Sequence, residues 1–200
     1  MTTPEQRWDS AYTAGPPPWD IGRPQPVFVR LAGDGLLSGR VLDAGCGTGE
    51  HTLLAAAHGA QAMGVDMSAV AIQKARAKAT ERGLAARFEV ADALRLDQWG
   101  LTFDTIIDSG LFHVFDDTDR AGYVASLAAV TAAGSRCYLM CFSDRQPGDF
   151  GPRRVSQDEL LRAFADGWDV LSIAAESFTI NPIAQGSPAA AAWLAVIGRR

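Results

Sequence analysis

Three glycines at alternate positions, Gly45, Gly47 and Gly49, follow the apolar stretch Val41-Leu42-Asp43-Ala44. Glycine lets a chain turn sharply and lets a ligand lie against bare backbone. A strand end, a glycine-rich turn and a helix start together form the place where an open α/β sheet takes nucleotide-like ligands. Asp66 closes the next such stretch, Met63-Gly64-Val65-Asp66, and lies about twenty residues beyond the loop, where a carboxylate can accept both hydroxyls of a ribose. A GxG pattern alone marks any tight turn, but joined to Asp66 it marks an adenosine site.

The spacing separates two classes of adenosine ligand. Dinucleotide enzymes use GxGxxG to pass a pyrophosphate, whereas the loop here reads GxGxG and is preceded by Asp43. A carboxylate at Asp43 is unfavourable beside a diphosphate and favourable beside the ammonium of a methionine moiety. The residues therefore point to S-adenosyl-L-methionine over a nicotinamide cofactor, with S-adenosyl-L-homocysteine as the product.

The elements that must position these residues are legible from alternation of apolar runs with amphipathic segments, the pattern of a parallel sheet under crossover helices. Strands are predicted over Arg40–Ala44, Gln61–Val65, Phe88–Val90, Thr102–Asp108 and Cys137–Phe142. Helices are predicted from Pro26 to Leu37, over Glu50–His58 before Gly59, from an N-cap at Ser68 to a stop at Gly83, and from a cap at Asp117 or Thr118 to Gly134. A helix over Gln157–Phe164 and two late strands, Trp168–Ile173 and Ala191–Ile197, suit an antiparallel hairpin added to the parallel sheet. The expected fold class is α/β, a Rossmann-like seven-stranded, mostly parallel sheet with helices on both faces. Residues 1–200 are expected to form a single domain, with a Pro/Trp-rich arm or lid over 1–26, a cofactor core over 40–142, and a substrate loop with terminal strands over 143–200. Most of the ten prolines fall in that arm, so Gly15–Pro18 and Gly22–Pro26 cannot be regular helix.

Along the chain from about Val41 to Cys141 the sequence resembles the class I S-adenosylmethionine-dependent methyltransferases. Val41–Gly49 is similar to their first motif, Val65-Asp66-Met67-Ser68 to the second, Val90-Ala91-Asp92-Ala93 to the third, and Phe103-Asp104-Thr105-Ile106-Ile107-Asp108 to the fourth. The resemblance implies that Gly45, Cys46, Gly47 and Gly49 cradle the cofactor and that Asp66 holds its ribose. It further implies that Met67 packs on the adenine, that Asp92, followed by Ala93, accepts from the adenine amino group, and that Asp108 and Ser109 line the methionine end. Trp8-Asp9-x-x-Tyr12 and Pro18-Trp19-Asp20-Ile21-Gly22-x-Pro24-Gln25-Pro26 resemble the arm of the thiopurine, thiol or halide, and heterocyclic toxin methyltransferases. That arm folds over the cofactor, which makes Trp8 and Trp19 candidate lid residues. An aromatic residue in a Pro-rich arm also has a physical use, as apolar cover that keeps water from a reacting centre.

The sulfonium methyl is already activated, so catalysis needs chiefly a nucleophile held in line with it. A phenolic acceptor is helped by a base, and His113, just beyond the fourth strand, is the candidate; the same ring could instead be fixed between Phe112 and Phe115. His58 is expected to complement a helix end and His51 to be solvated. Phe112, Phe115 and Phe150 suit a flat or soft apolar acceptor, and Arg153 an anionic one. The function expected is methyl transfer by in-line displacement to a small-molecule thiol, phenolic hydroxyl or heterocyclic acceptor. The alternative is a non-catalytic module that binds S-adenosylmethionine or S-adenosylhomocysteine. Which atom is methylated and the oligomeric state carry no mark in the sequence.

Composition excludes other classes. A net charge of -5 with no Lys/Arg cluster argues against a nucleic-acid partner, which needs several cations on one face. No apolar run approaches the length that spans a bilayer, and Met1–Asp20 lacks the apolar core of a signal peptide; the expected location is the cytoplasm, with no membrane partner. Cys46, Cys137 and Cys141 have neither CxxC spacing nor a histidine cluster, so reduced thiols and no metal site are expected.

Overall fold

Val41 and Leu42, neighbours in one strand, are both fully buried, which requires apolar layers on both faces of the sheet. The computed structural model, which describes residues 2–149, 151–181 and 189–200, supplies both. Leu42 joins Val65, Ile106, Leu139 and Ile197 against one set of helices. Val41 joins Ile107, Tyr138 and Met140 against the other. The alternation Ile106/Ile107 in one strand divides itself between the same two layers.

In chain order the elements are α1 (Pro4–Thr13), α2 (Pro26–Gly33), β1 (Arg40–Ala44), α3 (Glu50–Ala57), β2 (Gln61–Asp66), α4 (Ala69–Glu81), β3 (Arg87–Val90), β4 (Phe103–Ser109), α5 (Asp117–Ala129), β5 (Thr131–Phe142), α6 (Gln157–Ala163), β6 (Trp168–Thr179) and β7 (Ala189–Arg199). Short 3-10 turns cover Ala93–Trp99 and Phe112–Val114. The sheet order is β3-β2-β1-β4-β5-β7-β6. β1 to β5 run parallel, and β7 pairs antiparallel with both β5 and β6. The expected Rossmann-like sheet with a terminal antiparallel hairpin is therefore present.

Several boundaries differ from the predictions, α2 ending at Gly33 rather than Leu37 and β5 beginning at Thr131 rather than Cys137 among them, and four differences have identifiable reasons. The arm contains a full helix, α1, started by a capping box in which Thr3 and Gln6 exchange bonds, with Pro4 in the first turn. The third crossover helix is capped by Asp116, whose side chain accepts from Thr118 N and Asp119 N, and it ends at Ala129. Gly134 stops no helix; it lies inside β5 with φ +91°, near the register shift between Phe103 and Thr105. β6 extends to Thr179, because its pairing with β7 continues past Ile173 as far as Ala189. All three cysteines are free and buried. Among the described residues no helix is long and apolar enough to cross a membrane.

Candidate cofactor and acceptor site

β1, β2, β3 and β4 all end at one edge of the sheet, and the sequence-predicted residues gather there. After β1 the loop turns through Gly45, Gly47 and Gly49, with φ of +69°, +52° and +86°, a region in which L side chains are strained. Gly49 is the N-cap of α3 and has no side chain to cap it. Asp43 supplies the missing acceptor from beneath: its Oδ2 takes Thr52 N at 2.9 Å and Thr52 Oγ1 at 2.7 Å. Asp43 is 1% exposed, and burial pushes its carboxyl up to about 7 against the pull of the Thr52 donors. Asp43 thus ties the end of β1 to the first turn of α3.

Asp66 ends β2 with a carboxylate that ties two segments together, one oxygen accepting from Gly47 N and the other from Ser68 N, both at 2.8 Å. Burial raises its pKa, opposed by those amide donors. A carboxylate has about four lone-pair sites, so each oxygen retains one for a further donor. Met67 follows it, half-buried. Asp92 caps the turn after β3 by accepting from Leu94 N at 2.9 Å, and Ala93 is buried in the core. Asp108, at the end of β4, is fully buried and accepts from Leu111 N (2.8 Å), Phe112 N (3.1 Å) and the Tyr123 hydroxyl (2.9 Å); burial raises its pKa to about 6. It shapes the turn that carries Ser109 and Gly110.

The arm closes over this edge. α1 packs on α4, with Asp9 accepting from Ser68 Oγ (2.6 Å) and Val70 N (3.1 Å) at the start of α4, and Lys74 Nζ reaching Tyr12 O at 2.7 Å. Trp8 and Tyr12 lie on one helical face. Trp19 meets the Trp8 ring edge-on at 5.9 Å and donates its indole N–H to the Tyr12 hydroxyl at 3.0 Å. Tyr12 is buried, and a Cβ added to Gly47 would lie 2.7 Å from its hydroxyl. Asp20 accepts from Thr48 Oγ1 at 2.9 Å, and Asn181, just past β6, holds the carbonyls of Pro17 and Asp20. Tyr12, Asp20 and Asn181 had no assigned part; the helical spacing of Trp8 and Tyr12 was the available signal for the first, and nothing local announces Asn181.

The residues predicted for the acceptor side are dispersed. Phe112 is fully buried, stacked on Phe164 at 6.0 Å under Arg120, and so belongs to the core. Phe115 leans on Tyr123 at 5.1 Å. Arg153 pairs with Asp117 and Glu159 and is committed to joining α5 and α6. Phe150 lies outside the described residues. At this edge the rings of His113, Phe142 and Phe178 cluster, with centroids 5.1, 6.0 and 5.5 Å apart.

His113 is buried, and its Nδ1 accepts from Phe142 N at 2.9 Å. An amide N–H meets only an unprotonated ring nitrogen, so the neutral imidazole carries its proton on Nε2. Burial, with Arg120 and Arg154 nearby, pushes its pKa down to about 3. His113, the candidate base of the sequence, thus stands with Nδ1 engaged by the end of β5.

His51 accepts from Gln25 N at 3.0 Å and packs on Phe28, not in solvent; burial lowers its pKa to about 4. A depressed folded value means that the unfolded chain takes up the proton first, from about pH 6.5 downward, so stability is lost as pH falls from there toward 4. Relative to His51→Gln, the unsubstituted chain is expected to lose up to about 1 kcal/mol per pH unit across that window; parallel melting curves at pH 6.5 and pH 5 check it, and identical shifts in both chains would remove the assignment. His58, at the C-terminus of α3, contacts Leu54 O at 3.0 Å.

Comparison with known proteins agrees with this geometry. A family model described as a methyltransferase domain matches residues 41–134. The chain is 40% identical over 160 residues to the 2-heptyl-1-hydroxyquinolin-4(1H)-one methyltransferase of Mycobacteroides abscessus, covering 78% of this chain and 70% of that protein. A solved structure from work on the conversion of a disulfide bond into a thioacetal group during echinomycin biosynthesis superposes with a TM-score of 0.88 at 38% identity, covering 98% of this chain and 92% of that one. A TehB-like SAM-dependent methyltransferase from Corynebacterium glutamicum superposes with a TM-score of 0.65 at 25% identity, covering 98% and 95%. With the glycine loop, Asp66 and the parallel sheet arranged as described, this chain belongs to the class I S-adenosylmethionine-dependent methyltransferases.

Proposed function

We propose that the chain methylates a small aromatic acceptor through a ring-borne hydroxyl, the preferred class being a hydroxylated nitrogen heterocycle. The observation that carries this reading is the 40% identity, over 78% of the chain, to a methyltransferase acting on a hydroxyquinolinone. The cluster of His113, Phe142 and Phe178 supports it, since a flat ring packs well against aromatic faces and edges.

The residues present fit S-adenosylmethionine. Gly47 offers backbone where a Cβ would strike Tyr12, and Asp66 keeps lone pairs for a sugar diol. In this reading Gly45, Cys46, Gly47 and Gly49 cradle the methionine portion, Asp66 holds the ribose, and Met67, Asp92 and Ala93 border the adenine. Ser109 borders the sulfonium, and Trp8, Tyr12 and Trp19 cover it. The cofactor supplies an activated methyl group; the protein supplies orientation and exclusion of water. Strands drawn from Arg40 to Arg199 in one sheet support a single domain. The net charge of -5 supports a reaction on small molecules rather than nucleic acid, and the buried thiols support the cytoplasm.

Incubation with methyl-labelled S-adenosylmethionine and a panel of 1-hydroxyquinolin-4-ones, phenols and thiols is expected to label the hydroxyquinolinones first, on oxygen. Labelling of thiols alone would move the acceptor class. No transfer to any of them, with cofactor binding intact, would favour the non-catalytic binding module.

A further inference from the structure

Two amide side chains fasten the arm to the end of β6. Gln25, 3% exposed, lies against Thr179 on the outer strand of the sheet; its Nε2 donates to Thr179 O and its Oε1 accepts from Thr179 N, both at 2.9 Å. One side chain thus takes both backbone groups of an edge residue, as a neighbouring strand would. Asn181 makes the reverse connection: its Nδ2 donates to Pro17 O at 3.1 Å and to Asp20 O at 2.7 Å, and its backbone N–H donates to Pro18 O at 2.8 Å. Phe178, whose ring meets those of His113 and Phe142, directly precedes Thr179, so the segment bearing this ring is bonded to the arm.

The same stretch of arm is bonded to the glycine loop. Thr48 is buried, and its hydroxyl accepts from Lys78 Nζ at 2.7 Å. A hydroxyl has one proton to give, and that of Thr48 goes to Asp20 Oδ1 at 2.9 Å. Gln25 N donates to His51 Nε2 at 3.0 Å, in the first turn of the helix that follows the loop. Asp20 therefore holds the loop with its side chain and Asn181 with its carbonyl, which gives a continuous path from Thr48 through Asp20 and Asn181 to the segment of Phe178. The sheet offers no such short path, because β4, β5 and β7 lie between β1, which leads into the glycine loop, and β6.

We propose that Gln25 and Asn181 are positioning residues that tie the Phe178 side of the acceptor site to the cover over the cofactor, so that a filled cofactor site raises the affinity for the acceptor. The inference rests on the reading that the acceptor lies against the rings of His113, Phe142 and Phe178, and deepens it. The arm gains a further surface to rest on when cofactor lies beneath Trp8, Tyr12 and Trp19. Ordering the arm, and with it Thr179 to Asn181, is a cost that the first ligand meets and the second does not. Reciprocity follows: the acceptor must tighten cofactor binding by the same factor. For methyl transfer the consequence is that the acceptor wall takes its final place over a filled cofactor site, where a nucleophile can be held in line with the methyl group.

Calorimetric titration of the full chain with 1-hydroxyquinolin-4-one, with and without saturating S-adenosylhomocysteine, reads the coupling, which is expected to be about tenfold. Asn181→Ala and Gln25→Met should each bring it below about twofold, with a smaller change in the affinity for S-adenosylhomocysteine alone. Asn181→Asp keeps the size of the side chain but sets acceptors against two carbonyls that need a donor, and should behave as Asn181→Ala does. Hydrogen exchange supplies a readout that needs neither an acceptor nor a substitution. S-adenosylhomocysteine should slow exchange of the Phe178, Thr179 and Asn181 amides about tenfold in the unsubstituted chain and leave them unslowed in Asn181→Ala, whereas the Gly47 amide should be slowed in both. No slowing at residues 178–181 of the unsubstituted chain, a coupling that survives in both variants, or an equal weakening of the two ligands with the coupling intact overturns the proposal. The exchange measurement decides even if no member of the acceptor panel binds, so failure of the acceptor reading and failure of this one are distinguishable.

Discussion

Replacing Asp66 with alanine is expected to weaken S-adenosylhomocysteine binding by roughly a hundredfold to a thousandfold. The carboxylate does two things at once in this reading. It pins the glycine loop to the start of α4 through Gly47 N and Ser68 N, each at 2.8 Å, and it keeps one lone pair per oxygen for the ribose diol. Hydrogen bonds to a charged group are worth about 1.5–3 kcal/mol each, and losing the equivalent of two costs about 3–5 kcal/mol, or two to three orders of magnitude in Kd. Calorimetric titration of the variant measures the loss directly. Asp92→Ala serves as the comparison: that carboxylate caps one turn through Leu94 N, and about a tenfold change is expected from one lost contact. Asp66→Ala binding the ligand normally would remove both the clamp and the sugar contact from the account.

The largest effect on stability is expected at Gly49, where substitution by alanine should destabilise the fold by about 3 kcal/mol. The residue has φ +86°, and a Cβ there would sit 2.7 Å from Phe88 Cε1 and 2.8 Å from Ala75 Cβ. The left-handed conformation costs an L residue about 1–2 kcal/mol, and forcing a methyl group into a packed layer adds about 1–3 kcal/mol. For a chain of this size the melting temperature should fall by about 10 °C. Gly59→Ala separates the two contributions, because Gly59 has nearly the same φ, +88°, with nothing within 4 Å of an added Cβ. A fall of about 3 °C is expected there. Equal falls in the two variants would show that backbone conformation alone, and not the closeness of α4 and β3 to the loop, makes glycine necessary at position 49.

Both predictions concern residues that local pattern announces. A carboxylate at the end of an apolar run, and glycines alternating at the end of another, have their meaning in backbone geometry, which depends on a few neighbours. The same holds for the strands β1 to β5, whose two-sided apolar content reports burial on both faces. It holds for the Ser68 cap of α4, where the side chain accepts from Ala71 N as predicted.

Asp43 and His113 show where such reasoning stops. Both are polar residues beside the site in sequence, and charge complementarity or proximity to a strand end suggested a direct part for each. Their side chains are directed by partners remote in sequence. Thr52 draws Asp43 under the loop, and Phe142 N, at the end of β5, fixes the His113 ring through Nδ1. Phe112, packed on Phe164, is placed in the same way: an apolar residue after a strand looks alike whether it faces a ligand or α5 and α6.

Thus the sequence by itself determined the sheet, its crossovers and the cofactor class, because those depend on periodicity and on backbone permissiveness within short spans. Only the tertiary structure decided which way each polar side chain points, that the arm carries a helix latched through Asp9, Tyr12, Asp20 and Asn181, and that the rings of His113, Phe142 and Phe178 meet at one edge of the sheet. The physical reason is that hydrogen-bond partners and aromatic neighbours in this chain come from strands far apart in sequence, and their convergence is a property of sheet order that no local window contains.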